Sequence, residues 1–223
     1  VLVALPAFVR LTPSGTLSAR PRLPAAVIVR GVLTFSFFSA DTFISLSLTS
    51  VRGESTIYAG VVLIASTATW TAGSWLQAHY GRRLGATRLV GLGGLALAIG
   101  ALVLAVALWT AVPVWFWILG SSIMGLGMGM AYTTLSVVTL DEAAVGSEGS
   151  ASSSLQMSDI LGVALGAGLA GVLVSVGDRV GYQPWVALAG VFILSATTAF
   201  LVLGLSARLT RPVIDSVGDS VGR

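Results

Sequence analysis

The stretch GVLTFSFFSADTFISLSLTS, Gly31 to Ser50, is apolar apart from hydroxyls and one carboxylate, Asp41. Arg30 and Arg52 bracket it, each eleven residues from the acid, so at about 1.5 Å per helical residue Asp41 lies roughly 16 Å from either charged end. In a helix that crosses a membrane this is the middle of the bilayer, where an ionised carboxylate costs on the order of 3 kcal/mol. In hydrocarbon the acid would stay protonated; in the wall of a wet cavity it could take up and release a proton. Thr34 and Ser45 share its helical stripe, and Phe37 and Phe38 precede it by one turn. Asp41, Thr34 and Ser45 are therefore candidates for proton coupling or substrate binding. A neutral acid hydrogen-bonded between helices is the plainer alternative. Tyr132, with Thr133 and Thr134, interrupts a later apolar run and joins the candidates as part of a pathway lining.

Two further groups could gate such a path. Ser153 and Gln156 have the spacing of a capping box. A helix starting there puts Asp159 in its second turn, some 7 or 8 Å past the start at about 1.5 Å per residue. Asp159 would serve the helix dipole or pair with an arginine such as Arg30 or Arg83 as a latch, with Gln156 one turn before it sharing the site. GSWLQAHYGRRLG, Gly73 to Gly85, reads as the end of a span at a glycine. It crosses the interface at Trp75 and turns through Gly81 into Arg82 and Arg83, which suit helix C-terminal carbonyls or lipid phosphate. Trp70 and Trp75 fit either an aromatic cavity wall or interfacial anchoring.

The elements that position these groups follow from composition. The 223 residues are 55% hydrophobic and 9% charged, against about 25% charged in soluble domains. This is an integral membrane protein. Uncharged runs of spanning length lie at roughly 25–49, 57–78, 89–108, 113–140, 155–176 and 185–206. Lipid offers backbone groups no partners and the alternation of barrel strands is missing, so the expected fold is an all-α, polytopic bundle of six transmembrane helices. With no Cys there is no disulfide framework, and with one His, His79 at a membrane edge, neither a zinc pair nor a serine–histidine dyad at membrane depth. No Lys means no Walker A. GAGLAG, Gly166 to Gly171, matches a dinucleotide fingerprint but lies inside an apolar helix, where Gly162, Gly166 and Ala170 make a packing seam. Gly125, Gly127 and Gly129 either loosen the fourth span or admit neighbouring backbones. A net charge of +3 spread over loops is no nucleic-acid surface. No enzyme activity, cofactor or metal is expected.

Ten of the twelve arginines fall on one side of the spans, which places both ends of the chain in the cytoplasm. Residues 1–24 read as the end of a preceding span plus a cytoplasmic linker, 25–206 as the transmembrane domain and 207–223 as a cytoplasmic tail. The opening VLVALPAF, without Met, suggests a fragment of a longer chain.

Gly73, Gly81, Arg82 and Arg83 resemble the cytoplasmic loop motif of the major facilitator superfamily, between its second and third helices. The glycine spacing is one residue longer than in the family, and Gln77 or Ala78 stands where the family has aspartate. The segments from RGVLTFSFFSADTFISL through GSWLQ, GMGMAYTTLSVV and SASSSLQMSDILGVALGAGLAG look like second-half spans of bacterial drug:proton antiporters. The resemblance implies the carboxy-terminal six-helix half of a major-facilitator-type fold in the plasma membrane, built as two inverted three-helix units. It implies proton-coupled efflux of hydrophobic or drug-like small molecules by alternating access, with the missing amino-terminal half, protons, substrate and the lipid bilayer as partners. A proton-coupled metabolite importer and a non-transporting six-span subunit or scaffold are the alternatives.

Overall fold

A computed structural model describes Thr16 and residues 22–209. The expected preceding span, most of the linker with Arg10 and Arg20, and the tail from 210 on, with Arg211 and Arg223, lie outside the described residues. Six helices follow one another: α1 (Leu23–Ser50), α2 (Thr56–Leu84), α3 (Ala86–Ala107), α4 (Phe116–Asp141), α5 (Glu148–Val180) and α6 (Pro184–Ser206), ending in a 3-10 turn at Ala207–Leu209. Each is long and apolar enough to cross a membrane. The all-α, six-span fold expected from composition is the fold observed.

Local chemistry sets the ends. Prolines occupy the first turns of α1 and α6, where a missing N–H leaves nothing unpaired. Ser55 caps α2 by accepting the Tyr58 N–H at 3.2 Å. α5 stops at Gly181, whose φ of 79° is the left-handed conformation that closes a helix without strain.

Four expectations need correction. α2 does not turn through Gly81: Gly81, Arg82 and Arg83 stay helical, and the break is the single residue Gly85, with φ of 77°. Gly73 does not end the span either; it lies mid-helix against the Leu126 carbonyl of α4. Ser153 and Gln156 do not start α5, which begins at Glu148, with the Ser153 hydroxyl donating back to the Gly149 carbonyl at 2.8 Å. Asp159 is therefore eleven residues into its helix, about 16 Å along at 1.5 Å per residue, and beyond the reach of the N-terminal dipole. α4, for its part, starts at Phe116 after a turn at Pro113, three residues later than expected.

Packing follows an exchange between triplets. The first helix of each three, α1 or α4, lies between the second and third helices of the other triplet: α1 against α5 and α6, α4 against α2 and α3. α3 also meets α6, and α1 touches α4 at the centre. Three crossings separate α1 from α4, so the triplets run in opposite senses. Small residues permit the close seams. Gly162 and Gly166 lie on the Gly31 and Phe35 carbonyls of α1, Gly125 and Gly129 on the Ser66 and Trp70 carbonyls of α2, and Gly127 on Gly93 of α3. The α4 glycines thus bring two neighbours close on different sides, and the helix is unbroken. Ser36 and Ser195 exchange hydroxyl-to-carbonyl bonds of 2.6 and 2.7 Å between α1 and α6.

Only 22% of the apolar windows of α2 and of α5 is buried, against 61% for α1. These two helices occupy equivalent places in the two triplets, and each leaves one side uncovered among the described residues. Thermal unfolding in detergent tests the seams: Gly129→Ala, whose Cβ would press on the Trp70 carbonyl, is expected to lose about 1–3 kcal/mol. Gly168→Ala, with open space around it, should match the parent.

Candidate functional site

α1 carries both ends of the site. At Asp41 its carboxyl is half-buried, and no hydrogen bond or ion pair reaches it among the described residues. Ser45, one turn on, is also half-buried. Thr34 has a different place: it is wholly buried under α5, its hydroxyl donating to the Arg30 carbonyl at 3.0 Å and lying 3.3 Å from the Asp159 carbonyl. The stripe therefore splits, with Asp41 and Ser45 on a partly open surface and Thr34 in the α1–α5 seam.

Arg30 is only 4% exposed. Such a guanidinium must keep its charge, because arginine does not give up its proton in proteins. Its Nε donates to Asp159 Oδ1 at 3.1 Å, and one Nη to the Tyr132 carbonyl at 2.7 Å and to Ser136 Oγ at 3.2 Å. The Tyr132 hydroxyl donates to the other carboxylate oxygen of Asp159 at 2.9 Å, and the guanidinium carbon sits 3.0 Å from the centre of the Tyr132 ring. α1, α4 and α5 are thus tied by one charge-neutral cluster. Of the two arginines the sequence offered to Asp159, Arg30 is the partner; Arg83 is exposed at the end of α2.

Gln156, Asp159, Arg30, Tyr132, Ser136 and Thr139 border a partly open cavity of about 190 Å³. The Thr139 hydroxyl is fully buried and has no protein partner. One water needs about 10–15 Å³ of such volume, so the cavity has room for several beside the ion pair.

From the cluster an aromatic wall runs to the level of Asp41. Tyr132 meets Trp70 edge-on at 5.4 Å, Trp70 meets Phe37 at 5.3 Å and Phe37 meets Phe38 at 5.2 Å. The two tryptophans separate: Trp70 belongs to the wall, whereas Trp75 is 55% exposed and lies on His79. Gly73, Gly81, Arg82 and Arg83 are not at this wall. Gly81 and Arg82 border a separate cavity of about 480 Å³ between α2, α3 and α4, together with Gln77, Thr134 and Asp141. Ser136 and Thr139 escaped the sequence reading, although each follows Tyr132 at helical spacing; a hydroxyl in an apolar run more often bonds its own helix.

No protein-family model matches the chain, and no curated protein is significantly similar to it. Among solved structures it is similar to crystal structures of a point mutant of the peptide transporter POT. In the complex with alafosfalin the identity is 16%, the TM-score 0.66, and the match covers 92% of this chain and 46% of that one. In the complex with sulfate the identity is 16%, the TM-score 0.63, and the coverage 92% and 45%. The likeness is one of fold: the six helices are arranged as in about half of that peptide transporter, and the chain spans about half the length of the structures it matches.

The Arg30–Asp159 pair makes a direct stability test. Asp159→Leu alone strands a buried cation and is expected to cost about 3–5 kcal/mol, whereas the double change Arg30→Met with Asp159→Leu should recover most of the loss. Thermal unfolding of both variants in detergent checks this.

Proposed function

We propose that the chain is one half of a secondary active transporter that carries a small molecule by alternating access, coupled to protons, with Asp41 as the ionisable group. The observation that supports this is the contrast between deep charges. Arg30 and Asp159 neutralise each other within a hydrogen-bonded cluster, while Asp41 is half-buried without a partner beside Phe38. A carboxyl in that position is stable when neutral and costly when charged, so it suits a group that changes protonation as access to water alternates. The uncovered sides of α2 and α5 suit an amino-terminal half of the same transporter. The cluster of Arg30, Asp159 and Tyr132, with Gln156 at its wet side, acts as a latch between α1, α4 and α5. Arg82 and Arg83 hold the end of α2 at the cytoplasmic face.

The finer reading is efflux of a hydrophobic or drug-like solute against the proton gradient across the plasma membrane, with Phe37, Phe38, Trp70 and Tyr132 as its aromatic surface. Uptake of a polar metabolite is the second reading, favoured by the hydroxyl and carboxyl groups of Ser45, Tyr132 and Asp41 on the same wall. Flux measured in inverted and right-side-out vesicles separates the two by sign.

In the full-length transporter, Asp41→Asn is expected to abolish the response of flux to an imposed proton gradient without changing thermal stability; unaltered, gradient-sensitive flux would remove Asp41 from the mechanism. Orientation is accessible because the chain lacks native cysteine. With both ends cytoplasmic, Ala144→Cys between α4 and α5 is expected to react with an impermeant maleimide only from the cytoplasmic side. Gln183→Cys between α5 and α6 should react only from the opposite side.

A further inference from the structure

The turn between α2 and α3 gathers three cations. Arg82 and Arg83 stand in the last turn of α2, Gly85 breaks the helix with φ of 77°, and Arg88 is the third residue of α3. All three are exposed, and among the described residues no ion pair or hydrogen bond reaches them. Most acids at this end of the bundle are engaged elsewhere: Glu142 meets Arg22 at 3.2 Å, Asp159 meets Arg30 at 3.1 Å, and Glu148 accepts the Gly146 N–H. Asp141 borders the same cavity as Arg82 without pairing with it. Counted against the three arginines, Asp141 leaves two net positive charges on the turn.

The face of α3 shows what adjoins these charges. Beyond Arg88 its exposed positions are Leu92, Ile99, Leu102 and Val106, with Leu95 half-buried between them. Spacings that alternate between four and three make this one helical face, large and aliphatic, with Arg88 at its end. The glycines of α3 lie on its covered sides: Gly93 on the Gly127 carbonyl of α4, Gly94 against Val202 of α6 and Gly100 on the Gly120 carbonyl of α4. Close seams between helices need such small residues, and the exposed face has none. The uncovered side of α2 differs, with Ala68, Thr71 and Ala72 exposed along its middle. Lipid therefore suits the α3 face. Leu92, Leu95 and Ile99 lie about 6 to 17 Å from Arg88 along the axis, the depth of one leaflet's acyl chains. Phosphate is the headgroup chemistry that complements the cations above them.

We propose that the α2–α3 turn binds one anionic phospholipid, with its phosphate beside Arg82, Arg83 and Arg88 and an acyl chain along Leu92, Leu95 and Ile99. The site rests on the membrane-edge position given above to Arg82 and Arg83, and adds Arg88 to them. Transport does not enter it, and lipid retention is read without flux, so the two readings fail separately.

The test uses the whole chain in nanodiscs of equal parts phosphatidylglycerol and phosphatidylcholine, released for native mass spectrometry. Phosphatidylglycerol is expected to be retained over phosphatidylcholine by about thirtyfold, the equivalent of about 2 kcal/mol for two net basic groups near the headgroups. The combined changes Arg82→Gln, Arg83→Gln and Arg88→Gln are expected to bring the two lipids near parity. Should that variant fold poorly, the parent chain gives the answer with phosphatidylglycerol that carries a photoactivatable headgroup. Crosslinks within residues 80–92 support the site. Equal retention of the two lipids by the parent chain, full preference in a folded glutamine variant, or crosslinks confined elsewhere would each overturn it.

Discussion

Hydrocarbon gives a polar atom nothing to bond, and the interior of this bundle is organised around that constraint. Hydroxyls along the helices mostly turn back to carbonyls of their own turn, as at Thr42, Ser47, Thr67 and Thr134. Those that reach across meet another hydroxyl or a neighbour's carbonyl, as Ser36 and Ser195 do for each other, Thr133 for Ser74 and Ser158 for Val27. Arg30 carries the heaviest demand, and it is met by a carboxylate, a carbonyl, a hydroxyl and a ring face. Against that background a carboxyl with no partner stands out, since among the described residues only the buried hydroxyls of Ser121 and Thr139 also go without one.

The triplet exchange supplies the geometry for this. α1 is the most buried helix because it is wedged between α5 and α6 while also meeting α4. One side of α1 is thus sealed by glycine seams and serine bonds, and the other carries Phe38, Asp41 and Ser45 toward the uncovered region. Trp70 and Tyr132, from α2 and α4, complete that surface. Ion pair, aromatic wall and lone acid are consequences of where one helix sits.

Much of this was legible in the residues. Six spans, an all-helical bundle, the Gly162–Gly166 seam and an arginine partner for Asp159 follow from apolar run length and from the need of a buried charge for its opposite. Helix ends were read less well, for a physical reason. EGSASSSLQ has no apolar period and is rich in residues that favour caps, yet it is helical, and α5 runs back through it into the connection with α4. Arg82 and Arg83 likewise extend α2 beyond its apolar part. The fate of Thr34 could not be read from its stripe, since periodicity assigns a face but not the neighbour that covers it. Ser136 and Thr139 needed the partner helices in place before their position beside Arg30 meant anything.

The partner of Arg30 lies 129 residues further along the chain. A ribosome adding about 5–20 residues per second needs roughly 6 to 26 seconds to make that distance. For that interval α1 must enter the insertion machinery with its guanidinium unmatched, held near the aqueous boundary by its long side chain. Final docking of this helix therefore waits for the arrival of α5, and of the six described spans the first to be synthesised is among the last to settle.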